Sequence, residues 1–117
     1  MTRHDDVMVL HDMLEHATEA MQITQGKTRG DITDNRLLNL ALARLLEIIG
    51  EAAGRVSQST REKVPQIPWA AIVAMRNRLI HGYDQVDCDI LWDVVQNDLP
   101  PLVNELRKIL QDYPKED

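Results

Sequence analysis

The sequence predicts an all-α fold, an up-and-down bundle of four to five helices. Apolar residues recur at steps of three and four along nearly the whole chain, and no stretch shows the alternation of a half-buried strand. Phe is absent, and Trp69, Tyr83, Trp92 and Tyr113 are the only aromatics, so the core must be built from Leu, Ile, Val, Met and Ala, the usual filling of helical bundles. At 117 residues the chain suits one domain over 1–117, with its core at about 7–110 and a tail at 113–117.

The elements follow in order. Val7, Leu10, Leu14, Ala17 and Met21 form the stripe of a first helix, with Asp5 or Asp6 placed to cap it. Gly26–Gly30 then reads as a loop. Asp31, Thr33 or Asp34 is placed to cap a second helix running to about Val56 or Ser57. Leu38, Ala41, Leu42, Leu45, Ile48, Ile49 and Ala52 cover well over half its circumference, which predicts burial on more than one side. Gly50 lies inside it at a cost of about 1 kcal/mol relative to Ala, as expected where another helix comes close. Ser57–Pro68 is polar and proline-bounded, with one short turn near Thr60–Lys63.

Pro68 suits the first position of a third helix through Trp69, Ile72, Met75 and Leu79 towards His81, ended by Gly82 in a left-handed cap. Asp87 is placed to cap a fourth helix, whose stripe is Leu91, Val95, Leu99, Leu102, Leu106 and Ile109 or Leu110. Pro100-Pro101 crosses that stripe and predicts a kink or break with the stripe carried through.

Nineteen acidic against thirteen basic residues give a net charge of −6, which excludes a protein that coats nucleic acid by bulk charge. The total conceals an asymmetry. Residues 54–83 hold five basic residues (Arg55, Arg61, Lys63, Arg76, Arg78) against Glu62, so a local basic cleft stays open. No apolar run approaches the roughly 20 residues of a membrane span, and the first residues do not form a signal peptide. The single Cys88 excludes an internal disulfide, and a cytoplasmic setting is expected.

The informative segment is Met75–Tyr83. At about 100° per residue, Arg76 falls amid Trp69, Ile72, Val73, Leu79 and Ile80, in the middle of an apolar face. A guanidinium there must meet a carboxylate, a phosphate, or water in a cleft. Asn77 and His81 are neighbours four apart, whereas Arg78 points the opposite way. Arg44, Glu47, Glu51 and Arg55 make a polar stripe on the second helix, so Arg76 pairs with Glu51 or Glu47 as a strut, or faces a cleft.

Arg76-Asn77-Arg78-Leu79-Ile80-His81-Gly82-Tyr83 resembles the HEPN superfamily signature in its HepT-like form, Arg-Asn-x-x-x-His-x-Tyr. Leu45–Ala53, Val64–Trp69, Ile90–Trp92 and Asp98–Pro100 are also similar to HepT-family blocks, in the family's order. Asp84 departs from the pattern, which has an apolar or aromatic residue after the tyrosine.

The resemblance implies the toxin of a type VII toxin–antitoxin pair, a metal-independent endoribonuclease with no cofactor. It implies His81 as acid–base group, Arg76 as stabiliser of the scissile phosphate and Asn77 as orienting group. The RNA's 2′-OH would attack and leave a 2′,3′-cyclic phosphate. The implied partner is a minimal nucleotidyltransferase antitoxin that transfers AMP to Tyr83. Arg78, Arg55 and Lys63 are candidate RNA contacts, with Glu51 and Glu47 in support. One histidine per motif, where transesterification needs a base and an acid, predicts a two-fold homodimer sharing the site. The alternative is a non-catalytic helical subunit of a nucleotidyltransferase. His11, Glu15 and His16 read as a solvated face rather than metal ligands, and Cys88 as structural.

Overall fold

The computed structural model describes residues 3–81 and 85–113. Its helices are α1 (Arg3–Ile23), α2 (Arg29–Asp34), α3 (Arg36–Arg55), α4 (Gln58–Lys63), α5 (Trp69–Ala74), α6 (Arg76–Leu79), α7 (Cys88–Asp93) and α8 (Leu99–Leu110). A π turn, Val94–Asp98, joins α7 to α8, and strands β1 (Ile80–His81) and β2 (Gln85–Val86) form a two-residue antiparallel ladder. The architecture is the all-α bundle expected. Its long rods are α1, α3, the α5–α6 pair and the α7–π–α8 run.

Helix α3 is the hub, packed against α1, α2, α5, α6, α7 and β2. Leu42, Leu46, Ile49 and Ala53 recur on its inner face and are fully buried. They meet Leu10, Met13 and Ala17 of α1, Ile72 of α5, and Leu99 and Leu106 of the last rod in one hydrophobic cluster. Burial does not extend around the helix as far as its composition suggests. Ala41 is exposed, and the large apolar side chains Leu37 and Leu40 remain 82% and 42% accessible.

Several boundaries differ from expectation, each through a hydrogen bond that competes with the simpler reading. Gly26–Gly30 is not all loop. Thr28 and Asp31 form a reciprocal capping box that starts α2 at Arg29, and Asn35, whose side chain accepts from Leu38 N, then starts α3. Thr28 and Asn35 therefore take the capping places given to Asp31, Thr33 or Asp34. The third rod stops at Leu79 rather than running to His81. Ile80 and His81 pair with Val86 and Gln85, and Asp87 N donates to the Leu79 carbonyl at 2.6 Å. Gly82, expected as the cap, lies outside the described residues. Around Pro100-Pro101 the helix adapts through the preceding π turn, in which Leu99 N–H reaches the Val94 carbonyl. The prolines then occupy the first turn of α8, where a missing donor costs least. Leu91, Val95, Leu99, Leu102, Leu106 and Leu110 carry the buried stripe straight through.

Asp5 does not cap α1, which begins upstream at Arg3, and neither does Asp6. The Asp6 carboxylate is only 2% exposed and crosses to α4, accepting from Ser57 N at 3.0 Å and from the hydroxyls of Ser57 and Thr60, each at 2.5 Å. Burial pushes its pKa up, and the three donors more than reverse this, leaving it below the ordinary carboxylate value. Among the described residues no helix is long and apolar enough to cross a membrane.

Because the folded-state pKa of Asp6 is depressed, its stabilisation is complete above the unfolded value near 3.9 and is lost as pH falls through the folded one. Asp6→Ala is expected to cost roughly 2–3 kcal/mol at neutral pH. In denaturant titrations at matched protein concentration, the gap from wild type should close as pH drops below about 4. A gap independent of pH would contradict the ionised role.

Candidate active site

The site is built on a close helix approach. A Cβ at Gly50 would stand 3.0 Å from the Ile72 carbonyl oxygen, closer than a methyl group sits comfortably, so only glycine lets α5 lie this near α3. Gly54, one turn on, has open space above it. The two glycines make the surface of α3 shallow where α5 and α6 cross it.

The third rod changes pitch at Met75. Met75 N bonds the Ile72 carbonyl and Arg78 N bonds the Met75 carbonyl, both three residues back. Steps of three stack on one face in such a turn, so the buried row runs Trp69, Ile72, Met75 and then, four residues on, Leu79. Arg76 is therefore turned out and exposed, and does not sit in the middle of the apolar face as even α-helical spacing predicts.

Arg76 and Asn77 line an open depression of about 570 Å³ with Gly50, Glu51, Gly54, Arg55 and Val73. Two guanidiniums and an amide thus share one concavity, a donor set suited to an anion with several oxygens. The strut between Arg76 and the second helix is not formed. Arg44 instead takes both carboxylates, with its Nη1 3.4 Å from Glu47 and 3.4 Å from Glu51. Lys63, at the end of α4, does not line the depression, and Arg78 opens onto a different cleft. The backbone of His81 pairs with Gln85 in the ladder that directly follows α6. The His81 side chain and Tyr83 lie outside the described residues.

The remaining candidates are otherwise engaged. His11 Nε2 donates to the Tyr113 carbonyl at 2.8 Å, and His16 Nδ1 to the Asp12 carbonyl at 2.7 Å. Among the described residues no three His, Cys, Asp or Glu side chains are grouped to hold a metal ion. Burial, then Asp87 and Asp89, push the Cys88 thiol up, against smaller opposing effects of Arg36 and Thr33, which leaves a poor nucleophile.

A family model described as ribonuclease HepT-like matches residues 13–109. The chain belongs to the HepT-like ribonuclease family. It is 36% identical over 106 residues to "Putative RNase MJ1380" of Methanocaldococcus jannaschii, covering 91% of this chain and 97% of that protein. It is 32% identical over 117 residues to "Putative RNase MJ1216" of the same organism, covering 100% and 97%. "Probable ribonuclease HepT" of Thermococcus cleftensis is 35% identical over 102 residues, covering 84% and 93%. No solved structure matches the chain. For a HepT-like ribonuclease, the depression beside α6 is the candidate active site because it holds the first two residues of the family's motif.

Sequence reasoning placed Arg55, Arg61, Lys63, Arg76 and Arg78 in one basic segment, and of these Arg55 and Arg76 line the depression, with Asn77 beside them. It did not foresee Gly54 or Val73 as its floor. The four-residue spacing of Gly50 and Gly54 was the available signal, since it puts both on one helix face.

Gly54→Ala should stabilise the protein by about 0.5–1 kcal/mol through helix propensity alone. Gly50→Ala should instead destabilise it by about 1 kcal/mol net, as overpacking against a backbone carbonyl outweighs the same gain. Thermal or urea melts at equal protein concentration separate the two. Equal stabilisation by both would show that α5 yields freely.

Proposed function

We propose that this HepT-like ribonuclease is the toxin of a toxin–antitoxin pair and cleaves RNA by metal-independent transesterification. The observation that carries the reading is the depression shared by Arg76, Asn77 and Arg55, beside the helix that the strand Ile80–His81 directly follows. The scissile phosphate sits against the guanidinium of Arg76, with Arg55 as a second cation and Asn77 as a hydrogen-bonding anchor. His81 accepts the proton of the 2′-OH as that oxygen forms its bond to phosphorus. The bond from phosphorus to the 5′-oxygen breaks, the departing oxygen takes up a proton from an acid, and a 2′,3′-cyclic phosphate remains.

One motif supplies one imidazole, so we assign base and acid to the His81 residues of two copies. The outer face of α3 supports this. Leu37, Ala41, Arg44, Ile48, Glu51 and Arg55 recur there at steps of four and three, the seam a helix offers to a second helix. Paired antiparallel about a two-fold axis, two such seams carry the depressions of both copies in one assembly. A minimal nucleotidyltransferase antitoxin neutralises the toxin by transferring AMP from ATP to the Tyr83 hydroxyl, which forms a bond to the α-phosphorus and loses its proton as pyrophosphate leaves. The added phosphate and base occupy the place of RNA beside Arg76 by steric and electrostatic exclusion.

Incubating the protein with RNA in EDTA, beside His81→Ala and Arg76→Ala, tests the mechanism. Wild type should cleave in EDTA and leave 2′,3′-cyclic ends, and each variant should lose roughly 10²–10³-fold in rate. Cleavage abolished by EDTA would remove the metal-independent route, and cleavage surviving His81→Ala would remove the assigned base.

A further inference from the structure

A second cleft lies on the other side of the motif helix. It encloses about 440 Å³, within the range of ligand-sized pockets, between α5–α6 and the last rod. Its floor is the outer surface of the core: Ile67, Ile72, Met75, Val94, Leu99 and Leu102. Its rim is acidic on balance, with Asp93, Asp98 and Glu105 against Arg78 and against Lys108, whose Nζ stands 3.5 Å from Glu105, while Asp93 also accepts from Asn97 Nδ2 at 2.7 Å. The catalytic reading uses none of this.

The π turn shapes the rim. Residues five apart diverge on an α-helix, but the wider turn over Val94–Asp98 brings Asp98 round towards Asp93, on the side that faces the cleft. Burial and then Asp93 push the Asp98 carboxyl up, and Arg78 opposes them only in part. No ion pair satisfies Asp98 among the described residues, so the rim is short of positive charge. An RNA phosphate or an anionic membrane would be repelled there, which leaves a cationic occupant with an apolar stem.

The cleft also adjoins the segment that an AMP-transferring partner must reach. Met75 and Arg78 line it, and the chain runs from Arg78 through β1 to Tyr83 within five residues. A partner anchored here is held within five residues of the tyrosine in sequence, on the side of α6 away from the Arg76 depression.

We propose that this cleft is the docking site for the nucleotidyltransferase partner, which seats a lysine or arginine with its stem on the apolar floor and its head between Asp93 and Asp98. The proposal rests on the reading above that such a partner acts on this chain. Asp93 and Asp98 are both exposed at the rim, so the anchor is a cation drawn to two rim carboxylates with its stem over an apolar floor.

The test is calorimetric titration of the full-length chain with the nucleotidyltransferase encoded beside it, at low and raised salt. Asp98→Lys and Asp93→Lys should each weaken binding at least about tenfold, chiefly by faster dissociation, while RNA cleavage by the variants alone is unchanged. Asp12→Lys on α1 should leave the affinity as it is. Ala71→Trp, which fills the cleft without altering charge, should also weaken binding, and it decides the matter where a lysine variant fails to fold. Tight binding by wild type and equally by Asp98→Lys and Ala71→Trp would overturn the cleft and leave the partner reading standing. No binding by wild type would overturn the partner reading and the cleft with it. Loss of self-association in Asp98→Lys, with partner binding intact, would give the cleft to a second copy of this chain and equally overturn the proposal.

Discussion

The close contact between Gly50 and the Ile72 carbonyl governs the arrangement around the site. A methyl group at that position would press on the carbonyl, and α5 would have to give by a few tenths of an ångström. The surface of α3 over Gly50 and Gly54 is shallow because neither position carries a side chain. That surface is what lets Arg76 and Asn77 of α6 share a concavity with Arg55 of α3. A packing constraint in the hub helix thus sets the spacing of two cations that are distant in sequence.

The motif helix separates two electrostatic environments. Arg76 faces a depression in which it joins Arg55, and Arg78, two residues on, faces a cleft rimmed by three carboxylates. A net charge of −6 is therefore compatible with RNA chemistry, because the depression itself carries Arg55 and Arg76 against Glu51 alone. Two residues apart, the arginines face opposite sides even at regular spacing, and the pitch change at Met75 turns Arg76 out of the buried row.

The sequence made the large-scale organisation readable because long apolar stripes on α1, α3 and the last rod need no partner to be recognised. The stripe through Pro100-Pro101 was legible for the same reason. Positions decided by tertiary hydrogen bonds were not. Asp6 has the position and chemistry of a cap for α1, yet its acceptors serve Ser57 and Thr60 from another helix. The exposure of Arg76 was hidden because even spacing at about 100° cannot anticipate a tight turn. In the site, residue identity came from the motif, whereas the floor supplied by α3 came from a glycine pair whose meaning appears only once α5 is laid against it.

The central claim is that one RNA-cleaving site needs the motifs of two copies, each giving an imidazole. The most direct test is to mix wild type with His81→Ala at equal amounts, allow subunits to exchange fully, and measure cleavage at fixed total protein. A shared site requiring both histidines predicts about one quarter of the wild-type rate, because only dimers of two intact copies are active. A rate of about one half would mean that each copy works alone, and would contradict the account.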